Sequence, residues 1–265
     1  MPRRVREHAP RRGAGGDLER LWGIHPVREA LRARRRELRR LRVEKGIRRR
    51  DAEEILAAAR NAGVPFEEVS AEQLAEGLEP GSAPQGVVLE AGPLPELTLE
   101  ALTAEAATPR TLVALDGVED PQNVGAIARV AEVCGVGGLV LTRRRAARLG
   151  PAVSRASAGA IEWLPIARVP NLRRALNDLK KQNFWVFGAD PEGADDVFGL
   201  ADRIVAGDRV LVLGAEGSGL RPGVRDVVDH RIRIPMVGRV ASLNVASAAA
   251  VLLFELRRRS GGWSG

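Results

Sequence analysis

Val210-Leu211-Val212-Leu213-Gly214-Ala215-Glu216-Gly217-Ser218-Gly219-Leu220 is an apolar run of four residues entering a loop with three glycines. A short, wholly apolar run closed by glycine predicts a strand covered on both faces, as in a parallel sheet flanked by helices. The glycines let the following loop present bare backbone amides to a ligand. Glu216 sits among them, a charge that is costly there unless it binds something. A dinucleotide phosphate loop would instead follow the first strand of a βαβ unit, with an acidic residue about 20 positions later. This loop follows a late strand, which weakens that alternative.

Around it the chain repeats strand and helix in turn. Strands are predicted at 111–115, 138–142, 185–189, 210–213 and 231–234, and helices at 123–134, 151–159, 171–181 and 242–258. That is an α/β domain over 111–260 with a parallel sheet, whose ligands bind beyond the carboxyl ends of the strands. A smaller α/β unit precedes it at 19–92. His25-Pro26 opens a helix there, a strand follows at 41–44, and a helix over 51–62 stops at Gly63. Ser70 and Gln73 form a capping box, a short strand is read at 65–69, and a strand apolar at its centre at 86–90. Residues 93–110, bracketed by prolines, have linker composition with room for one helical turn. Residues 1–18 read as a flexible basic arm; two prolines disfavour the amphipathic helix of an organellar presequence.

At 265 residues there is length for two domains. The chain lacks the run of ~20 apolar residues that spans a bilayer, so no membrane association is expected. A single cysteine, Cys134, excludes an internal disulfide and a Cys-based zinc site, and His8, His25 and His230 are too scattered for a metal cluster. A reducing, cytoplasmic setting fits. Net charge is +7, with much of the excess in the arginine-rich stretch 32–50. Such a run is either a solvated face or the footprint of a nucleic-acid binder; Arg34, Arg35, Arg36, Arg39 and Arg40 are the candidate RNA contacts. Aromatic residues make up 3% and tyrosine is absent, which favours backbone and shape contacts over base stacking.

Two further strand ends carry polar residues. Asp116-Gly-Val-Glu-Asp-Pro-Gln-Asn123-Val-Gly125-Ala-Ile-Ala-Arg129 follows the 111–115 strand. Asn123 can cap the helix, Gly125 admits another backbone closely, and Arg129 lies further along; the bland reading is a cap, a packing glycine and a solvated arginine. Ile234-Pro-Met236-Val-Gly-Arg-Val-Ala-Ser242-Leu243-Asn244-Val-Ala-Ser247 runs into the last helix, with Ser242 a good N-cap residue. That helix terminus favours an anionic group, though serine and asparagine there are also ordinary caps.

Taken together, Asn-x-Gly-Ala-Ile-x-Arg, Gly-x-Glu-Gly-x-Gly and Ser-Leu-Asn-Val-x-Ser resemble, in order and spacing, the three motifs of the SpoU/TrmH class of SPOUT RNA methyltransferases. The stretches 154–160 and Trp163-Leu164-Pro165 are similar to the same class. Trp22-Gly-Ile-His25-Pro26-Val-Arg-Glu29-Ala-Leu31 and Gln85-Gly-Val-Val88 resemble the substrate-binding domain of its RlmB-like rRNA guanosine 2′-O-methyltransferase branch. That branch usually has His before Gln-Gly; this chain has Pro84, so any RNA contact made by that His is missing.

The resemblance implies a SPOUT fold with a deep trefoil knot, a homodimer, and S-adenosylmethionine bound bent by the knot loops. It places the cofactor at Leu213, Gly214, Ala215, Gly217, Gly219, Ile234, Met236, Ser242 and Leu243. It makes Arg129 the catalytic arginine acting at a ribose 2′-hydroxyl, with Asn123, Glu216, Ser242 and Asn244 orienting the ribose and that clamp. No metal is implied. The alternatives are a tRNA ribose methyltransferase and a non-catalytic RNA-binding or ribosome-assembly factor.

Overall fold

The computed structural model describes residues 18–47, 49–105, 109–240 and 242–261, so all but the last residue of the expected basic arm lies outside them. The small domain comprises β1 (Glu19–Trp22), α1 (Ile24–Ala33), β2 (Leu38–Glu44), α2 (Arg49–Ala62), β3 (Phe66–Val69), α3 (Ala71–Ala75) and β4 (Val87–Ala91). Its strands lie in the order β1-β4-β2-β3, with β4 antiparallel to both neighbours and β2 parallel to β3. The capping box forms as expected: Gln73 N donates to Ser70 Oγ, and Ser70 N donates to Gln73 Oε1.

Next come α4 (Leu99–Glu105), β5 (Thr111–Asp116), α5 (Pro121–Val133), β6 (Gly138–Thr142), α6 (Pro151–Ala156), a 3-10 turn at Ala160–Glu162 and β7 (Ile166–Val169). The chain continues through α7 (Leu172–Lys180), β8 (Trp185–Ala189), β9 (Asp195–Asp196), α8 (Asp202–Val205), β10 (Arg209–Gly214), α9 (Pro222–Arg225), β11 (His230–Arg233) and α10 (Val245–Arg259). The seven strands of this sheet are all parallel, in the order β7-β6-β5-β10-β8-β11-β9. Strand β10 arrives late and inserts between β5 and β8, so the strand order reverses at the β5/β10 pair. That is where a ligand crevice belongs in an open parallel sheet.

Alternation along the strands builds a core on each face. Val113, Leu115, Leu139, Leu211 and Leu213 meet Ile127 and Ala128 of α5 and Leu252, Leu253 and Leu256 of α10. The other face takes Leu112, Ala114, Val140, Val210 and Val212 against Leu172, Leu176 and Leu179 of α7. Leu99 and Leu102 of α4 belong to this second core. A Cβ on Gly138 would lie 2.3 Å from Leu102 Cδ1, so the glycine is what lets α4 settle on the sheet edge. Leu97 N donates to Ile166 O at 2.7 Å. The stretch expected to be a linker is therefore largely packed structure of the large domain; its weak periodicity hides a two-turn helix.

The two domains meet across a buried ionic seam. Arg36, whose side chain has no exposed surface, donates from Nε and Nη2 to Glu162 (2.7 and 3.1 Å) and from Nη1 to Glu19 (2.6 Å) and Gly92 O (3.0 Å). Ser154 Oγ donates to Glu162 Oε1 at 2.9 Å, and Trp163 Nε1 to Glu29 Oε2 at 3.1 Å. Gly159, at φ +87°, has room for no side chain, since a Cβ would come 2.7 Å from Glu29 Cβ. The 154–165 stretch is thus the surface on which the small domain docks.

Candidate functional site

Register brings two strand ends side by side: Asp116 of β5 pairs with Gly214 of β10. Their loops leave the sheet together. The glycine loop closes on itself, with Gly219 N donating to Ala215 O (2.9 Å) and Ala215 N to Gly219 O (3.2 Å). A Cβ on Gly214 would lie 2.2 Å from Gly219 C, so only glycine permits that closure. Buried Asp116 fastens the far side, accepting from Arg221 N at 2.8 Å and from the Arg221 guanidinium.

A cavity of about 460 Å³ opens beyond these strand ends. Leu213, Gly214, Ala215, Gly217, Gly219, Ile234, Met236, Ser242 and Leu243 all line it, together with Glu216. Its size suits a nucleoside-sized ligand. Leu213, Ile234, Val245 and Leu252 offer an apolar wall for a flat ring, and the glycine loop offers main-chain polar groups beside it. Cβ atoms built on Gly217 and Gly219, both at positive φ, would point into open space. These residues fit S-adenosylmethionine: an apolar slot for adenine, backbone groups for its edge, and carboxylates (Asp190, Glu192, Glu216) for a cationic sulfonium and ammonium.

At the rim, Asn244 joins three segments distant in sequence. Its Nδ2 donates to Asn123 Oδ1 (2.9 Å) and Glu216 Oε1 (2.6 Å), while its Oδ1 accepts from Ala246 N (2.8 Å) and Ser247 N (3.4 Å). Both donors and both lone pairs are thereby used. Asn244, and not Ser242, is the N-cap of α10, which begins three residues later than expected. Asn123 is likewise not a cap. Asp120 holds that place, accepting from Gln122 N with Pro121 at the first helical position. Asn123 is instead buried one turn in, where its carbonyl is free to meet Asn244. Gly125 packs as expected: its missing Cβ would lie 2.4 Å from Ala156 Cβ.

Arg129 stands apart from this group. Six residues turn a helix through about 600°, which leaves it roughly 240° around from Asn123 and about 9 Å along the axis. It is exposed, on the face away from the core, and no hydrogen bond or ion pair links it to another described residue.

The candidate RNA contacts in the 32–50 run divide sharply. Arg36 is sealed in the domain seam and cannot reach a phosphate. Arg35 donates to Leu164 O and Glu162 O, tying the same seam. Arg34, in a left-handed conformation after α1, donates to Asn61 O. Arg40 pairs with Glu90 and Glu67, and Arg39 with Glu37 in the open. Among the described residues of the run, Arg36, Arg39, Arg40 and Arg42 sit on carboxylates, while Arg34 and Arg35 reach backbone carbonyls. Sequence charge counts arginines and says nothing of the glutamates that fold against them.

Sequence reasoning misses other participants. Asp116 has no evident role there, although a carboxylate at a buried strand end needs a partner and Arg221 follows the neighbouring glycine loop. Asp190, after β8, lines the cavity and holds Arg225 (3.5 Å) and Arg231 (3.4 Å). In the small domain, Gln85 at φ +53° accepts from Ile24 N at 3.2 Å, and Pro84 O accepts from Gly23 N at 3.2 Å. The Trp-Gly-Ile-His-Pro segment and the Pro-Gln-Gly turn are therefore one structure, beside a cleft that also includes His25 and Arg28. Among the described residues there is no group of His, Cys, Asp or Glu that could hold a metal. No helix among them is long and apolar enough to cross a membrane.

A nucleoside-sized cavity at the switch point of a parallel sheet, with a polar bridge on its rim and a docked second domain, defines an α/β enzyme of the nucleoside-cofactor class. Residues 110–254 match the SpoU rRNA Methylase family and residues 20–97 match the RNA 2′-O ribose methyltransferase substrate binding family. The chain belongs to the SpoU rRNA methylase family. It is 33% identical to the 23S rRNA (guanosine-2′-O-)-methyltransferase RlmB of Pseudomonas putida, over 91% of this chain and 97% of that protein. The SpoU methyltransferase AviRb from Streptomyces viridochromogenes, solved with AdoMet, superposes with a TM-score of 0.76 at 26% identity, covering 93% of this chain and 92% of that one. An AdoMet-bound rRNA methyltransferase from Sinorhizobium meliloti gives 0.72 at 26% identity, covering 91% and 87%.

Proposed function

We propose that this chain transfers a methyl group from S-adenosylmethionine to the 2′-hydroxyl of a guanosine ribose in large-subunit rRNA, working as a homodimer. The observation that carries the reading is the Asn123–Asn244–Glu216 bridge at the rim of a cavity shaped for a nucleoside cofactor. Family membership supports the chemistry, and the likeness to RlmB over nearly the whole chain supports the guanosine target.

S-adenosylmethionine supplies an electrophilic methyl, so the protein's share is to hold the hydroxyl in line and ease loss of its proton. Leu213–Gly219, Ile234, Met236, Ser242 and Leu243 would hold the cofactor. Asn244, with every hydrogen bond satisfied, fixes the Glu216 carboxylate and the Asn123 amide relative to the cavity mouth. Ser242 lies free on the same rim to meet a ribose. A guanidinium carries only donors and makes a poor base; Arg129 serves as a clamp on phosphate and developing oxyanion.

The homodimer explains the placing of Arg129. Val133 of α5 and Val251 and Phe254 of α10 lie at least partly exposed on two helices that pack together. A second copy related by a two-fold axis would cover these apolar faces on both chains at once. The face that carries Arg129 would then meet the partner, where its side chain can serve the partner's cavity. The trefoil knot belongs to the same reading, supported by the late insertion of β10 between β5 and β8. Incubating the protein with radiolabelled S-adenosylmethionine and unmodified rRNA or tRNA, then mapping 2′-O-methyl positions, tests the proposal. Label on a large-subunit rRNA guanosine is expected; label on tRNA alone, or none, refutes it.

A further inference from the structure

The arginines that fold against their own glutamates leave open what meets the RNA backbone. We propose that the loop carrying Arg143, Arg144, Arg145 and Arg148 is an RNA-phosphate contact on the catalytic domain, placed to steer the strand bearing the target ribose into the cavity mouth. The inference rests on the RNA methyltransferase reading above.

Three observations converge. First, these four side chains are exposed, and Arg143, Arg144 and Arg145 have no hydrogen bond or ion pair to any described residue through their guanidinium groups. Arg148, with 84% of its side chain exposed, has only Glu19 nearby, at 3.8 Å. Arg36, Arg40 and Arg42, by contrast, each sit on carboxylates. Successive cations without counter-charges repel one another, and an anion laid across them relieves that repulsion.

Second, the loop is held in shape by something other than these arginines. Arg168, neutralised by Glu96 at 2.6 Å, donates to Thr142 O (3.2 Å) and Ala147 O (3.0 Å), spanning the loop from beneath. Arg143 N donates to Val169 O at 3.0 Å, and Thr142 Oγ1 donates to Arg144 O. Ala147 and Leu149 are buried anchors. Arg145 is kept at φ +55°, a conformation L residues rarely adopt. The backbone is thus fixed while the guanidinium groups face solvent, so little order must be gained on binding.

Third, its position suits the task. The loop leaves the carboxyl end of β6, and β6, β5 and β10 are consecutive parallel neighbours. Two interstrand steps put it about 10 Å from the glycine loop on the same edge of the sheet. Through Arg148 and Glu19 it also borders the small domain. RNA held by that domain and reaching into the cavity passes over it.

The test is a triple variant, Arg143→Gln with Arg144→Gln and Arg145→Gln, beside the corresponding triple lysine variant and the wild type. Each is assayed with an unmodified in vitro large-subunit rRNA transcript by filter binding over a salt series. Each phosphate that is no longer neutralised should flatten the slope of log K against log salt by roughly 0.7 to 0.9, so the glutamine variant's slope should be shallower by about two units. Its KM for RNA should rise at least about tenfold, with kcat little changed. S-adenosylmethionine affinity and Tm should match the wild type, and the lysine variant should keep most of the slope. Salt lines superimposable on the wild type overturn the proposal, as does a parallel fall in cofactor affinity. A wild type that binds the transcript but transfers no methyl refutes the underlying methyltransferase reading, and the salt lines still decide the loop.

Discussion

Arg36 has its guanidinium bonded at all three nitrogens and no surface left for water. Removing one partner of such a buried pair leaves the other charge stranded, which costs about 3–5 kcal/mol. Arg36→Ala and Glu162→Ala are therefore expected to lower stability by that order in urea melts while leaving the cofactor cavity's residues untouched. Arg36→Lys should recover only part of it, since an ammonium cannot reproduce the two-point hold on Glu162. A decrease below ~1 kcal/mol in either alanine variant would refute the seam's role. Cys134 makes a second case. Burial pushes its thiol up to about 11, with Arg257 pulling weakly the other way. At pH 8 only about one thiol in a thousand is ionised, so labelling by a thiol reagent should await unfolding. The sign for stability follows: the contribution is complete below about 9 and is lost as pH rises toward 11. Rapid labelling of the native protein at pH 8 would contradict this.

Helix α5 carries both Asn123 and Arg129, yet only one of them faces its own cavity rim. Arg129→Ala should leave S-adenosylmethionine affinity unchanged in calorimetry and abolish most methyl transfer. Arg129→Lys should fail as well, because a forked donor is not replaced by a point charge. If Arg129 serves the partner's cavity, mixed dimers of Arg129→Ala with Asn244→Ala should regain about a quarter to a half of wild-type turnover, having one intact composite site. Mixtures no more active than either parent would place Arg129 in its own chain's site. The elements themselves are largely legible in the sequence. Apolar runs locate β5, β6, β8 and β10, and Asn171, Gly63 and the Ser70–Gln73 box mark helix ends. Strands β1 and β7 escape because four residues with an arginine inside, ERLW and IARV, show no clear alternation. The site's membership can be read from spacing, but its bonding cannot. Asn123 looks like a cap until Asp120-Pro121, the stronger start signal, is weighed against it, and nothing local tells that Asn244 lies across from it. The same limit applies to charge: pairing of Arg36 with Glu162 is a contact across 126 positions.

For the molecule entire, the question is where one domain can be parted from the other. A fragment beginning at Arg110 would strip Leu99 and Leu102 from the second core. Full burial of each leucine is worth about 1.5–3 kcal/mol, so a fragment beginning at residue 93 should be more stable than one beginning at 110 by several kcal/mol. Both should bind S-adenosylmethionine if they fold, since the cavity's lining comes from 189–252. Equal melting of the two fragments would show that α4 is dispensable. In either, Glu162 loses Arg36 and keeps only Ser154.

The seam also makes the enzyme a calliper. Because Arg36, Glu162, Trp163 and Glu29 lock one jaw to the other, the span between the cleft beside His25 and the cavity mouth is set by the protein. An RNA whose anchoring element and target ribose are separated by a different distance must bend itself to fit, and its own stiffness then selects which nucleotide is reached. Inserting or deleting a base pair between those two features in the transcript should consequently move the methyl group to a neighbouring nucleotide or abolish transfer, even with every base at the target left unchanged.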